Sequence, residues 1–192
     1  MTRKPLCLLA TVALGLLGPA AGAQATPDHF GPTTHHGSHG ASQARLDRVR
    51  AATSSFRMLV VAKAAGYGLL KDEDGIACID NPGVGAMGVH YANTNLVGDG
   101  RIHMLTPEAM VYEPRPNGKL RLAAVEWVVF QDAWDAANDG PPRLFGEDFM
   151  LTPAGNRYGL PAFYSLHAWV WKHNPRGVLE MWNPTVHCPA AR

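Results

Sequence analysis

The sequence predicts an α+β protein: one long N-terminal amphipathic helix packed on a mainly antiparallel, curved β-sheet. Three observations carry that prediction. From Ser42 the chain runs SQARLDRVRAATSSFRMLVVAKAAGYG, without a proline and with apolar residues at helical spacing. Beyond it lie short apolar segments of strand character at 87–92, 109–113, 120–130 and 164–182. Asn117-Gly118 and Asn174-Pro175-Arg176-Gly177 supply turn chemistry between such segments, which makes the neighbouring strands antiparallel.

Each element follows in order. In the helix, Leu46, Val49, Thr53, Phe56, Val60 and Ala64 form one stripe, with Arg45, Arg48 and Lys63 off it. Ser42 suits an N-cap, and Gly66 or Gly68 a stop. Residues 71–81 are polar and read as a loop carrying Cys78. Gly83, Gly85 and Gly88 spell G-x-G-x-x-G, but a dinucleotide loop needs a strand before it and a helix after it. Here Cys-Ile-Asp-Asn-Pro precedes and a strand-like segment follows, so these glycines instead let the backbone bend tightly. Residues 131–156 read as loop and irregular chain.

Ahead of the helix, residues 1–25 have the build of a signal peptide. Arg3 and Lys4 are followed by an apolar run at 6–17 and small residues ending near Ala23 or Ala25. The run is too short to span a bilayer comfortably, so an exported protein is expected, periplasmic or extracellular. Cys7 belongs to the leader, which leaves Cys78 and Cys188 to form a disulfide in an oxidising compartment. Residues 26–41 form a His-, Gly- and Pro-rich linker. Its His29, His35, His36 and His39 can hold metal only loosely, for their spacing matches no closed site. Residues 42–192 make a single globular domain without internal repeats. With 17 Lys and Arg against 16 Asp and Glu, no electrostatic case exists for nucleic acid or an anionic membrane as partner.

The chemistry-bearing residues are isolated polar groups within apolar strands. In LRLAAVEWVVF, Glu126 is the only acid. Uninterrupted alternation gives it a face shared with Leu122, Ala124 and Val128. His90 lies between Gly88 and Ala92. Glu113 ends the segment 109–113, with Glu108 just before it. Residues 164–182 read as a hairpin whose first strand puts Ser165, His167, Trp169, Trp171 and His173 on one face. A buried imidazole or carboxylate needs a partner. Strands that bring His90, His167, Glu126 and Glu113 together would present a ligand set for one divalent transition metal, namely zinc, manganese, iron or copper. Glu108 or Glu113 would then serve in proton transfer.

Two other readings stand beside this one. Tyr91, Trp127, Trp169, Trp171 and Trp182 would line a pocket for a small apolar or aromatic ligand, without catalysis. Alternatively, the His and Glu side chains form a hydrogen-bonded network that serves only the fold. Nucleophilic catalysis has little support: no G-x-S-x-G occurs, and Ser165 beside His167 lacks an evident third partner. Glu113 with Glu126 as a glycosidase pair is equally unanchored.

The series MGxHY at 87–91, PExxxYE at 107–113, LHxWxW at 166–171 and NPxG at 174–177 resembles a family of exported bacterial proteins of unknown function. The resemblance extends over about 42–188. It implies export and a single domain, and attaches no activity or cofactor.

Overall fold

The computed structural model describes residues 36–189, with the expected leader and the linker up to His35 outside them. Helix α1 (His36–Ala52) leads into a 3-10 turn (Ser54–Arg57) and α2 (Leu59–Ala64). The segment expected as one long helix is thus helical in three pieces, and α1 begins ahead of Ser42. The break has a local cause. Thr53-Ser54-Ser55 places three hydroxyl residues in a row, and such side chains compete with the helical backbone. Thr53 Oγ1 donates back to the Val49 carbonyl at 2.9 Å and accepts from Trp171 Nε1 at 3.0 Å. The break also changes the phase of the stripe. Leu46, Val49 and Thr53 are buried, whereas Val60 is 66% exposed and Ala62 takes the buried position. Ser42, inside the helix, does not cap it; its hydroxyl donates to Phe145 O.

The strands are β1 (Gly68–Leu69), β2 (Cys78–Asn81), β3 (Gly85–Ala92), β4 (Ala109–Pro114), β5 (Leu120–Phe130), β6 (Arg143–Leu144), β7 (Glu147–Asp148), β8 (Met150–Thr152) and β9 (Phe163–Ala168). Short helices α3 (Thr94–Val97) and α4 (Gln131–Asp135) sit between them. Seven strands form one curved, open antiparallel sheet in the order β1-β3-β4-β5-β9-β8, with β2 also paired to β3. β6 and β7 make a separate hairpin, closed at Phe145 (φ 57) and Gly146. The β4–β5 turn forms where Asn117-Gly118 predicts it, with Arg115 N bonded to Lys119 O at 2.8 Å. No sequence pattern marks β1, β8 or the β6–β7 hairpin, which are two or three residues long, and the segment read as a loop contains β2.

One face of the sheet packs under α1. Leu46 and Val49 meet Tyr91, Met110, Tyr112, Trp127 and Leu166 there. The other face carries Ala86, Val111, Ala124, Trp169 and Val186 together with the polar residues discussed below. A bulge between β4 and β5 resets the alternation. Val111 pairs with Ala124 but Tyr112 pairs with Leu122, leaving Ala123 unopposed. Leu122 therefore joins the core under the helix instead of sharing a face with Glu126. Opposite the same bulge, Gly88 has φ +106, and a Cβ there would lie 2.6 Å from Tyr112 O. Only glycine permits that approach of β3 to β4.

The aromatic segment does not form the expected hairpin. β9 ends at Ala168, because the bulge at Ala123 carries β5 out of register and Ala123 O instead takes the amide of Trp171 at 3.1 Å. The rest is an irregular clamp held by its two Asn-Pro pairs. Asn174 Nδ2 donates to Trp182 O and Asn183 Nδ2 to His173 O, both at 3.1 Å. Asn183 also bridges to Ala86 of β3. The Cys78–Cys188 disulfide, spanning 110 residues, fastens the clamp to β2.

Candidate metal centre

Strand register assembles the site. Ala109, Glu126 and His167 lie opposite one another across β4, β5 and β9. On β3, His90 pairs with Val111, one step along the same face. Ala109 contributes only a methyl group to this row, which leaves room for His90 to reach toward Glu126 across β4. All three side chains are buried: His90 and His167 are 2% exposed and Glu126 8%.

His90 Nε2 stands 3.2 Å from His167 Nε2 and 3.5 Å from Glu126 Oε2, and His167 Nδ1 lies 3.5 Å from Glu126 Oε1. One potential ligand atom from each residue falls within 4.8 Å of the others. Two nitrogens each about 2.0–2.1 Å from a zinc-sized ion at the tetrahedral angle stand about 3.3 Å apart. The facing imidazoles therefore have the spacing of two ligands on one ion.

Electrostatics point the same way. Burial lowers His90 to about 4, against an opposing pull from Glu126, and burial lowers His167 to about 3. Both imidazoles are neutral at physiological pH and keep lone pairs for coordination. Burial raises the Glu126 carboxyl above its usual range, with His90 and Ser165 acting against the shift. Among the described residues Glu126 has no Lys or Arg partner, and His90 Nδ1 makes no hydrogen bond. A buried carboxylate beside two neutral imidazoles lacks a compensating positive charge, and a bound cation supplies one.

Two cavities reach the group. His90 and Glu126 line a cavity of about 430 Å³, with Met87, Val128, Tyr158, Leu160 and Phe163 among its walls. His167 lines a second, of about 550 Å³, with Glu147, Asp148 and Glu180. Ser165, Met181 and Trp182 border both.

The remaining expected site residues lie elsewhere. Glu113 is at the far end of β4. There Arg121 Nη2 reaches its Oε2 at 2.6 Å and Lys172 Nζ its Oε1 at 2.9 Å. Glu108 is buried beyond the cavity walls and accepts from Val128 N at 3.1 Å. Burial, against backbone hydrogen bonds from Val128 and its own amide, pushes its carboxyl up to about 8. The five aromatic residues do not share a single pocket, though Trp169 and Trp171 together border a separate cavity of about 250 Å³. Tyr91 and Trp127 belong to the core under α1, Trp169 to the opposite face, and Trp171 packs beneath Arg50 at 4.9 Å. Of the tryptophans weighed as pocket residues, Trp182 borders the cavities. Tyr158 gave no signal in the sequence, since an aromatic residue in the turn NRYG reads as an ordinary surface residue.

Fold and site together define an open antiparallel sheet with helices, carrying a buried two-histidine, one-carboxylate group bordered by two cavities. The chain matches no protein-family model, no curated protein and no solved structure.

Proposed function

We propose that this exported protein binds one divalent transition metal through His90, His167 and Glu126, with a coordination position open to the neighbouring cavity. One observation carries the reading: two neutral imidazoles and an otherwise uncompensated carboxylate converge at ligand spacing in a buried place. Nitrogen and oxygen ligands without sulfur suit zinc, manganese, iron or copper. Three protein ligands leave positions that a closed structural site would fill. A metal held this way polarises a bound oxygen or lowers the pKa of bound water. The chain's own part is to orient the ligands on β3, β5 and β9 of one sheet and exclude bulk water. Among the described residues Glu126 is the only acid lining the apolar cavity of about 430 Å³, and Glu108 and Glu113 do not line it. The disulfide fits export, and among the described residues no helix is long and apolar enough to cross a membrane.

The test is metal content by mass spectrometry on the untagged chain with His29, His35, His36 and His39 replaced by alanine, beside the same chain carrying His167→Ala. One ion per chain, lost in the variant, is the expected result. No ion in either after reconstitution would overturn the proposal.

The apolar cavity favours a second reading, a binding module for a small apolar ligand without metal. It predicts that Trp182 fluorescence responds to such ligands in metal-free protein.

A further inference from the structure

The cavity beside His90 and Glu126 has its own chemical preference. Most of its wall is apolar, and several of its polar side chains are already engaged. Asn156 Oδ1 accepts from the Tyr158 and Leu160 amides, while its Nδ2 donates to Pro153 O and Leu160 O. Arg157 is held by Asp72 Oδ2, at 2.6 Å from Nη2 and 3.1 Å from Nε, which neutralises it. Ser165 lies beside Glu126. That leaves the hydroxyls of Thr94, Thr152 and Tyr158, which make no side-chain hydrogen bond among the described residues; of these, Thr94 is exposed and Tyr158 lies near enough to Glu126 to feel its charge. Burial, then Glu126, raises its pKa, so it stays protonated and remains a donor. A divalent ion with Glu126 as its one anionic ligand leaves a net positive charge at the cavity floor.

We infer that this cavity takes a small monocarboxylate with a compact apolar body, its carboxylate turned to the metal and to the Tyr158 hydroxyl and its body against Met87, Val97, Leu160 and Phe163. The inference rests on the metal-binding reading above. Each part answers an observation. The positive floor selects an anion, the Tyr158 donor near Glu126 suits one oxygen function, and apolar walls with neutralised polar groups reject a second charge. A volume of about 430 Å³ lies toward the small end of ligand cavities.

The test is a titration of the cobalt(II)-loaded chain with acetate and with hexanoate, read from the visible absorption of the metal. Hexanoate is expected to bind at least tenfold more tightly than acetate. Tyr158→Phe should weaken hexanoate about fivefold or more without changing cobalt stoichiometry. Val97→Trp, which fills the cavity from α3, should lose the preference for hexanoate while still binding acetate, and thermal melts confirm that each variant folds. Cobalt binding with equal affinity for the two acids, or with hexanoate affinity unaffected by Tyr158→Phe, would overturn the inference and leave the metal site standing. Failure to bind cobalt would remove both.

Discussion

His90 and His167, 77 residues apart in the chain, face each other with their Nε2 atoms 3.2 Å apart. If both are neutral, a metal-free pair is satisfied when one ring donates to the other. The same geometry accepts an ion when both present lone pairs. Glu126 distinguishes the two states, because a carboxylate improves a metal site and burdens a metal-free core.

Glu126→Gln should therefore act in opposite directions on the two forms. In metal-free protein it should raise the melting temperature or leave it unchanged, since a buried carboxylate without a cationic partner is replaced by a neutral amide. Metal affinity should fall by at least tenfold with the loss of the anionic ligand. Loss of about 1–3 kcal/mol in the metal-free form would instead identify a hydrogen-bonded network needed for folding.

Acid should destabilise the metal-free protein. Folded His90 and His167 titrate at about 4 and about 3, against 6.5 for an ordinary histidine. Between 6.5 and those values the unfolded chain binds protons that the folded chain does not, so stability falls as pH is lowered through that window. Glu126, whose carboxyl is raised by burial, works in the opposite sense and moderates the slope. Thermal melts from pH 7 to pH 4 should show the decline, and His167→Gln should make it shallower. A flat profile in the unaltered chain would contradict neutral buried imidazoles.

Glu113 and Glu108 should matter to stability and leave metal content unchanged. Burial raises the Glu113 carboxyl, but hydrogen bonds from Lys172 and Arg121 outweigh it and hold the group below its usual range. Its contribution is present at neutral pH and lost on acidification. Glu113→Ala should cost about 1–2 kcal/mol at pH 7 in denaturant melts. Glu108 has the opposite sign: with its folded pKa at about 8 against 4.5, stability is gained as pH falls from 8 toward 4.5. Glu108→Gln keeps an acceptor for Val128 N and should raise stability above pH 8. Metal loss in either variant would place that residue in the site.

Reduction of Cys78–Cys188 should destabilise the domain strongly. Opening a loop of this length costs about 4–5 kcal/mol in the chain-entropy model. Because the disulfide fastens the clamp that carries Met181 and Trp182, the double Cys→Ser variant should also show greater solvent quenching of Trp182. Unchanged melts under reducing conditions would contradict this.

Much of the architecture was readable from local pattern. The segment of β5, the Asn117-Gly118 turn and the single polar residues His90, Glu126 and His167 all follow from side-chain period and turn chemistry. The Cys78–Cys188 pairing followed from cysteine count and the expected compartment. The helix was readable as helical but not as broken. Its stripe continues in period through Thr53-Ser54-Ser55, and only the bond from Trp171 shows that Thr53 is turned to a partner far along the chain.

The sequence by itself determined which residues are costly to bury: two acids, Glu113 and Glu126, and two imidazoles, His90 and His167, within strands otherwise apolar. Tertiary structure alone decided which carboxylate joins the histidines. Glu113 and Glu126 look alike along the chain, but pairing order and the bulge at Ala123 set Glu126 opposite His167 and Glu113 opposite Arg121. The physical reason is that cross-strand neighbours are fixed by register between distant segments. A register is the sum of many backbone and packing contacts, so no single residue's chemistry announces it.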